Sequence, residues 1–211
     1  MSAPSEGLTV LPCGDRAVLV EFDSAEHRRA WDTDLRAHPI AGVLDQVPGE
    51  LTLLLTVADP ADLPAVRQAL AGRSEPRRDG PAVPGPTTVI GVHYDGPDLA
   101  DVAALLGLTP DEVVGRHTGQ LWRVDFAGFA PGFGYLIGDH DDLVVPRRAE
   151  PRTAVPAGAV GLAGRYSGVY PRESPGGWQL IGRTETEMWL PDRDPPAVLH
   201  PGAVVRFEAL S

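Results

Sequence analysis

The chain has 211 residues, 43% of them hydrophobic, and a formal charge of -11, which is enough to bury a core in one large domain or two small ones. That acidity argues against nucleic acid or an anionic membrane as the main partner, since both require a basic face. All eighteen basic side chains are arginine, so lysine-dependent chemistry, the P-loop and the Schiff base alike, has no place here.

The single cysteine, Cys13, closes no internal disulfide, and the six histidines include no HExxH or other close pair. No metal site is therefore expected. The sequence has no run of about eighteen apolar residues and opens without the basic-then-apolar pattern of a secretory signal, so a cytoplasmic location is expected.

In chain order, "LTVLP" and "AVLVEF" read as strands around the turn "CGDR", and Ser24 is placed to cap a helix reaching about Ala37. Two further strands, "GVLDQVP" and "LTLLLTV", flank "PGE". A proline-initiated helix in "ADPADLPAVRQALAG" then ends at Gly72. The order ββαββα predicts one mostly antiparallel sheet with helices on one side.

The stretch from Gly72 to Pro86 has the proline, glycine and charge content of a linker. It divides an N-terminal α/β domain, residues 1–78, from a second domain, residues 87–211. The second domain opens with the strand "TTVIGVHY" and two short helices. Asp98 or the preceding turn is placed to cap the first, and Thr109, Pro110 and Glu112 form a start signal for the other. After Gln120 come short runs between glycines and prolines: "LWRVDF", "GYLIG", "LVVP", "AVGLAG", "YSGVYP", "GWQLIGRT", "EMWL" and "AVVRFEAL". Short strands at this spacing predict a barrel or sandwich, and an α+β fold overall.

The candidate chemistry gathers in the same third of the chain, where Arg116 to Arg183 holds eight arginines against six acids in an otherwise strongly acidic protein. Locally cationic surface of this kind suits an anionic ligand. In "GFAPGFGYL", Phe129, Phe133 and Tyr135 sit among glycines that permit close approach, so the rings either stack on a planar ligand or fill a barrel corner. "PRRAEPR" presents Arg147, Arg148 and Arg152 from a proline-stiffened backbone, as forks for carboxylate or phosphate or as a solvated turn paired with Glu150.

"YPRESPGGWQLIGRT" contributes Tyr170, Gly176, Gly177, Trp178, Gln179 and Arg183, with the double glycine able to turn backbone N–H groups toward an anion. His117, late in the second helix, is the candidate general acid or base, with helix capping as its alternative role. Neither Ser167 nor Ser174 lies in a Gly-x-Ser-x-Gly elbow, so a serine nucleophile is not expected.

The ordered series "CGDRAVLVEF", "YDGPDLADVA", "VVGRHTG", "GFAPGFGYL", "VPRRAEPRTAVPAGAVGLAG" and "GVYPRESPGGWQLIGRT" resembles the KipI/PxpB family, also called allophanate hydrolase subunit 1, over nearly the whole chain. The resemblance implies a small N-terminal α/β domain followed by a cyclophilin-like β-barrel. It also implies partners: a PxpC-like subunit (allophanate hydrolase subunit 2) of related barrel fold, and a PxpA-like subunit completing an ATP-dependent 5-oxoprolinase that opens 5-oxo-L-proline to L-glutamate.

ATP with magnesium then serves as cosubstrate, at a site expected to be shared with the partner subunit. Within that pattern His117, Arg148 and Arg152 are the expected catalytic groups. Phe129, Phe133, Tyr135, Arg147, Tyr170, Gly176, Gly177, Trp178, Gln179 and Arg183 are the expected substrate-binding ones.

Two other roles come with the resemblance: inhibition of a histidine kinase, as described for the KipI branch, and an accessory part in urea or allophanate metabolism. A lysine-free chain cannot itself supply the serine-lysine centre of a true allophanate hydrolase. Prolyl isomerase activity does not travel with the fold.

Overall fold

The computed structural model describes residues 8–76 and 87–211. Most of the expected linker, and the segment before Leu8, lie outside the described residues. Two compact units divide the chain, residues 1–83 and 84–211.

In the first unit, β1 (Leu8–Pro12), β2 (Ala17–Phe22), β3 (Val43–Pro48) and β4 (Thr52–Val57) form one antiparallel sheet in the order β1-β2-β4-β3. Alternation along the two central strands turns Val18, Val20 and Phe22, and Leu53, Leu55 and Val57, to one face. Trp31 and Leu35 of α1 (Ala25–Ala37) and Val66 and Leu70 of α2 (Leu63–Gly72) pack on that face, so both helices lie on one side. Each such buried side chain contributes roughly 1.5–3 kcal/mol. The Ser24 hydroxyl accepts the His27 N–H at 3.1 Å and fixes the start of α1.

The second unit comprises β5 (Thr87–Val92), α3 (Leu99–Leu106), α4 (Pro110–Thr118), β6 (Trp122–Ala127), β7 (Gly134–Gly138), β8 (Arg152–Val155), β9 (Ala159–Ala163), β10 (Tyr166–Val169), β11 (Ser174–Gly176), β12 (Gln179–Arg183) and β13 (Val204–Ala209). Seven strands form one sheet in the order β12-β9-β10-β7-β6-β13-β5. All its pairs are antiparallel except β13 with β5.

The two edges of this sheet meet where His93 and Arg183 exchange a pair of backbone hydrogen bonds, both 2.9 Å, so the sheet nearly closes into a barrel. Gly96 makes the crossing possible, because a Cβ there would lie 2.3 Å from the Ile181 carbonyl carbon. Ile90, Val124, Leu136, Leu162, Val169, Ile181 and Phe207 supply one interior side chain from each of the seven strands. The start of α4 carries the capping box read from the sequence, with Glu112 N–H on the Thr109 hydroxyl at 3.2 Å and Thr109 N–H on the Glu112 carboxylate at 2.7 Å.

Two expected strands are absent from the described residues. "LVVP" makes only the isolated bridge Val145–Gly164 and "EMWL" only Trp189–Ala197. Their apolar residues serve burial instead, with Leu143, Val145 and Met188 inside the barrel core. In their place a two-stranded ribbon, β8 with β11, forms from segments without apolar periodicity.

Candidate functional site

The barrel wall has a second apolar face. Along β7, β10 and β12 the residues that alternate with the interior ones turn the other way, and Tyr135, Tyr166 and Leu180, with Phe133, Tyr170 and Trp178 beside the strand ends, form a separate cluster there. The rings meet edge to face, at 5.3 Å for Phe133–Trp178, 5.5 Å for Phe133–Tyr170 and 5.1 Å for Phe133–Tyr135. Gly168 lets two of them lie against the strand, since a Cβ at that position would come within 3.0 Å of both the Phe133 and Trp178 rings. Phe129 joins the edge of this layer, 5.3 Å from Phe133 and 6.0 Å from Tyr170. It is 56% exposed, and among the described residues it is the one non-glycine at positive φ, 67°. An exposed ring held in a conformation its backbone disfavours is a feature that sites of interaction retain. The Phe129 loop, with Trp189, Leu199, His200 and Pro201, lines an open groove of about 470 Å³.

The arginines stand at the rim of the same layer, and Asp98 holds two of them. Its Oδ1 accepts Arg148 Nη1 at 2.8 Å and Arg152 Nη2 at 2.7 Å, while Oδ2 accepts the Leu180 N–H at 2.7 Å. Burial by itself would raise the Asp98 carboxyl. The hydrogen bonds from Arg152 and Leu180 and the charges of Arg152 and Arg148 outweigh that and hold it below the usual carboxylate range.

The ribbon gives Arg152 its place, since it pairs with Gly176, and Arg148 N–H is tied to the Gly177 carbonyl at 2.8 Å. Tyr170 connects arginines and aromatics. Burial raises its phenol, while a backbone hydrogen bond with Trp178 and the nearby charges of Arg147 and Arg152 act in the opposite sense. Its hydroxyl lies over Gly176, where a Cβ would come within 2.3 Å.

Most of the residues singled out in the sequence therefore converge: Phe129, Phe133, Tyr135, Arg147, Arg148, Arg152, Tyr170, Gly176, Gly177 and Trp178 share one face of the barrel wall and its rim. Three others stand apart. Arg183 pairs on the open surface with Asp95, at 2.9 Å. Gln179 is buried and donates to the Pro146 carbonyl at 3.2 Å, which anchors the arginine loop.

His117 is fully buried, with its ring stacked 4.3 Å from Phe207 and tilted against Trp122 at 5.0 Å. Its Nδ1 bonds the Tyr94 hydroxyl at 2.7 Å and its Nε2 the Ser167 hydroxyl at 2.8 Å. Burial pushes its pKa down to about 3, so the ring is neutral near pH 7. It is also shut off from any ligand at the surface, a placement that fits a clasp between α4 and β10 rather than the acid–base role read from the sequence.

Asp98, read from the sequence as a helix cap, makes no side-chain capping bond to α3 and organises the arginines instead. The one trace of this role in the sequence is its place in the motif "YDGPDLADVA". Among the described residues no group of three or more His, Cys, Asp or Glu is arranged to hold a metal ion, and no helix is long and apolar enough to cross a membrane.

A family model described as carboxyltransferase domain, subdomain C and D, matches residues 8–199. The PxpB subunit of 5-oxoprolinase from Escherichia coli O157:H7 is 39% identical over 205 residues, covering 92% of both chains. The crystal structure of TTHA0988 aligns with a TM-score of 0.75 at 37% identity, over 93% of this chain but only 40% of that longer one. The Kluyveromyces lactis urea carboxylase aligns over 100% of this chain and 22% of its own, with a TM-score of 0.75 at 20% identity, a likeness of fold alone. With the model matching most of the chain and a relative this similar along its whole length, the chain belongs to the KipI/PxpB family of 5-oxoprolinase subunits.

Proposed function

We propose that this chain is a subunit of an ATP-dependent 5-oxoprolinase. With a PxpC-like partner it activates 5-oxo-L-proline by phosphorylation of the amide oxygen, and a PxpA-like subunit completes the opening to L-glutamate. The observation that carries this reading is the full-length similarity to the PxpB subunit of 5-oxoprolinase. The placement of ring-sized aromatic surface beside a surplus of arginines is the chemistry such a substrate calls for.

A lactam is unreactive because its nitrogen donates into the carbonyl. Phosphorylating the oxygen supplies a leaving group and makes the carbon open to water. The protein's part in such a transfer is positioning and charge stabilisation, which arginines provide. Phe129 and Tyr135 would face the lactam ring, with the buried Phe133 packed behind them, and Arg147, Arg148 and Arg152 would face the anionic groups. His117 would act through the barrel that it holds together and not on the substrate. Magnesium enters with the nucleotide. We assign the ATP site jointly to this chain and its partner, since the chain has no lysine and so no P-loop of its own.

The test is ADP release by the purified chain, alone and co-expressed with the PxpC-like subunit, on addition of 5-oxo-L-proline. Substrate-stimulated release that requires both chains is the expected result. If no release occurs with the complex formed and the PxpA-like subunit supplied, the reading falls.

A further inference from the structure

Asp98 carries one negative charge, and three hydrogen bonds already fall on it, two from the arginines on Oδ1 and one from the Leu180 N–H on Oδ2. Around it stand two paired guanidinium groups, and Arg147 is exposed beside them, with no hydrogen bond or ion pair among the described residues. A guanidinium has five N–H donors. Arg148 and Arg152 each give one side-chain hydrogen bond to a protein acceptor, and it is the same carboxylate oxygen. Arg148 Nε and Arg152 Nη1 are buried without an acceptor, a condition that costs free energy and calls for a reason. Both side chains are partly exposed as a whole, at 32% and 23%. The charges of Arg147 and Arg152 act on the Tyr170 phenol.

We infer that Arg147, Arg148 and Arg152 form an oxyanion-binding site that takes a carboxylate or phosphoryl group, with Asp98 as the positioning residue that holds two of the three forks in place before the ligand arrives. Asp98 works by removing freedom. Two long side chains anchored on one buried oxygen, with the backbone pinned by the ribbon and the Arg148–Gly177 bond, lose little further entropy when an anion binds. An oxyanion with several lone pairs accepts from the guanidinium donors that are exposed and neutralises the excess charge. The proposal rests on the 5-oxoprolinase reading only for the identity of the anion.

The test uses the full-length chain labelled with 15N, at low chloride, following the arginine Nε–H resonances during titration with inorganic phosphate, acetate, 5-oxo-L-proline and, as the lactam lacking a carboxylate, 2-pyrrolidone. The Arg148 and Arg152 resonances, assigned by their loss in Arg148→Gln and Arg152→Gln, are expected to move saturably with at least one oxyanion and not with 2-pyrrolidone. Arg147→Ala, an exposed change that leaves the fold intact, should weaken that binding tenfold or more. A tenfold preference between phosphate and the carboxylates identifies which group the site takes.

Absence of any saturable shift, or binding unaltered in both Arg147→Ala and Arg152→Gln, overturns the proposal. Arginine-dependent binding of phosphate without 5-oxo-L-proline leaves the site standing as one for a phosphoryl group, and binding of acetate without 5-oxo-L-proline leaves the site standing and counts against the 5-oxoprolinase reading. Substrate-stimulated ADP release by the complex that survives both substitutions keeps that reading and overturns the site.

Discussion

Two polar clusters sit in the barrel unit, and they are built in opposite ways. Around His117 each ring nitrogen has a hydroxyl partner, the ring is neutral, and aromatic neighbours close it off. Around Asp98 one carboxylate holds two of three neighbouring guanidinium groups, donors are left over, and the side chains reach solvent. The first cluster is satisfied within the protein and accounts for itself as structure. The second carries net charge and donors that have no protein acceptor among the described residues. A motif residue is thus a poor guide to catalysis until its hydrogen bonds are counted. His117 has none to spare, and the arginines do.

Substitutions separate the two. The largest effect should come from Asp98→Ala, which leaves two cations and the Leu180 N–H without their acceptor. A loss of about 3 kcal/mol in urea unfolding is expected, and a loss under about 0.5 kcal/mol would mean that the arginines re-pair and that Asp98 organises nothing.

His117 contributes through pH. Its folded pKa, about 3, lies below the ordinary 6.5, so the unfolded chain binds a proton that the folded chain refuses. This contribution is complete above about pH 6.5 and is lost as the pH falls toward 3, with a slope of up to ~1.4 kcal/mol per unit. Chemical denaturation of the wild type and His117→Gln at pH 7 and pH 5 should show the wild type losing about 2 kcal/mol more than the variant on acidification. Parallel losses would show that the ring is protonated in the folded state.

At the edge of the aromatic layer, Phe129→Gly relieves a positive φ and removes a ring that is mostly exposed, so thermal unfolding should shift by no more than about 1 kcal/mol in stability. Under the proposed function the same change should lower turnover by the complex at least tenfold, and unchanged turnover would remove Phe129 from the site. The smallest effect belongs to Arg183→Ala. Its ion pair with Asp95 is exposed on both sides, so stability should change by less than about 0.5 kcal/mol and oxyanion binding not at all. A loss of binding there would extend the site around the barrel to β12's far end.

Local signals explain what was legible. The starts of α1 and α4 were readable because a cap is a contact between residues three apart, Ser24 with His27 and Thr109 with Glu112. The central strands β2 and β4 were readable because their alternation is local too. The ribbon β8–β11 was not, since "RTAV" and "SPG" carry no periodicity and are joined only by pairing across some twenty residues. "LVVP" and "EMWL" misled because a short apolar run reads the same whether it pairs as a strand or plugs a core.

By itself the sequence determined the family motifs, the mixed α+β class, the absence of lysine chemistry and the presence of aromatic and arginine segments in one third of the chain. Tertiary structure decided what those segments do. Asp98 lies 50 and 54 residues from the arginines it holds, and His117 lies 50 from Ser167. Whether a titratable side chain ends in a sealed barrel core or on its rim depends on which strands the sheet brings together, and no window of neighbouring residues contains that information.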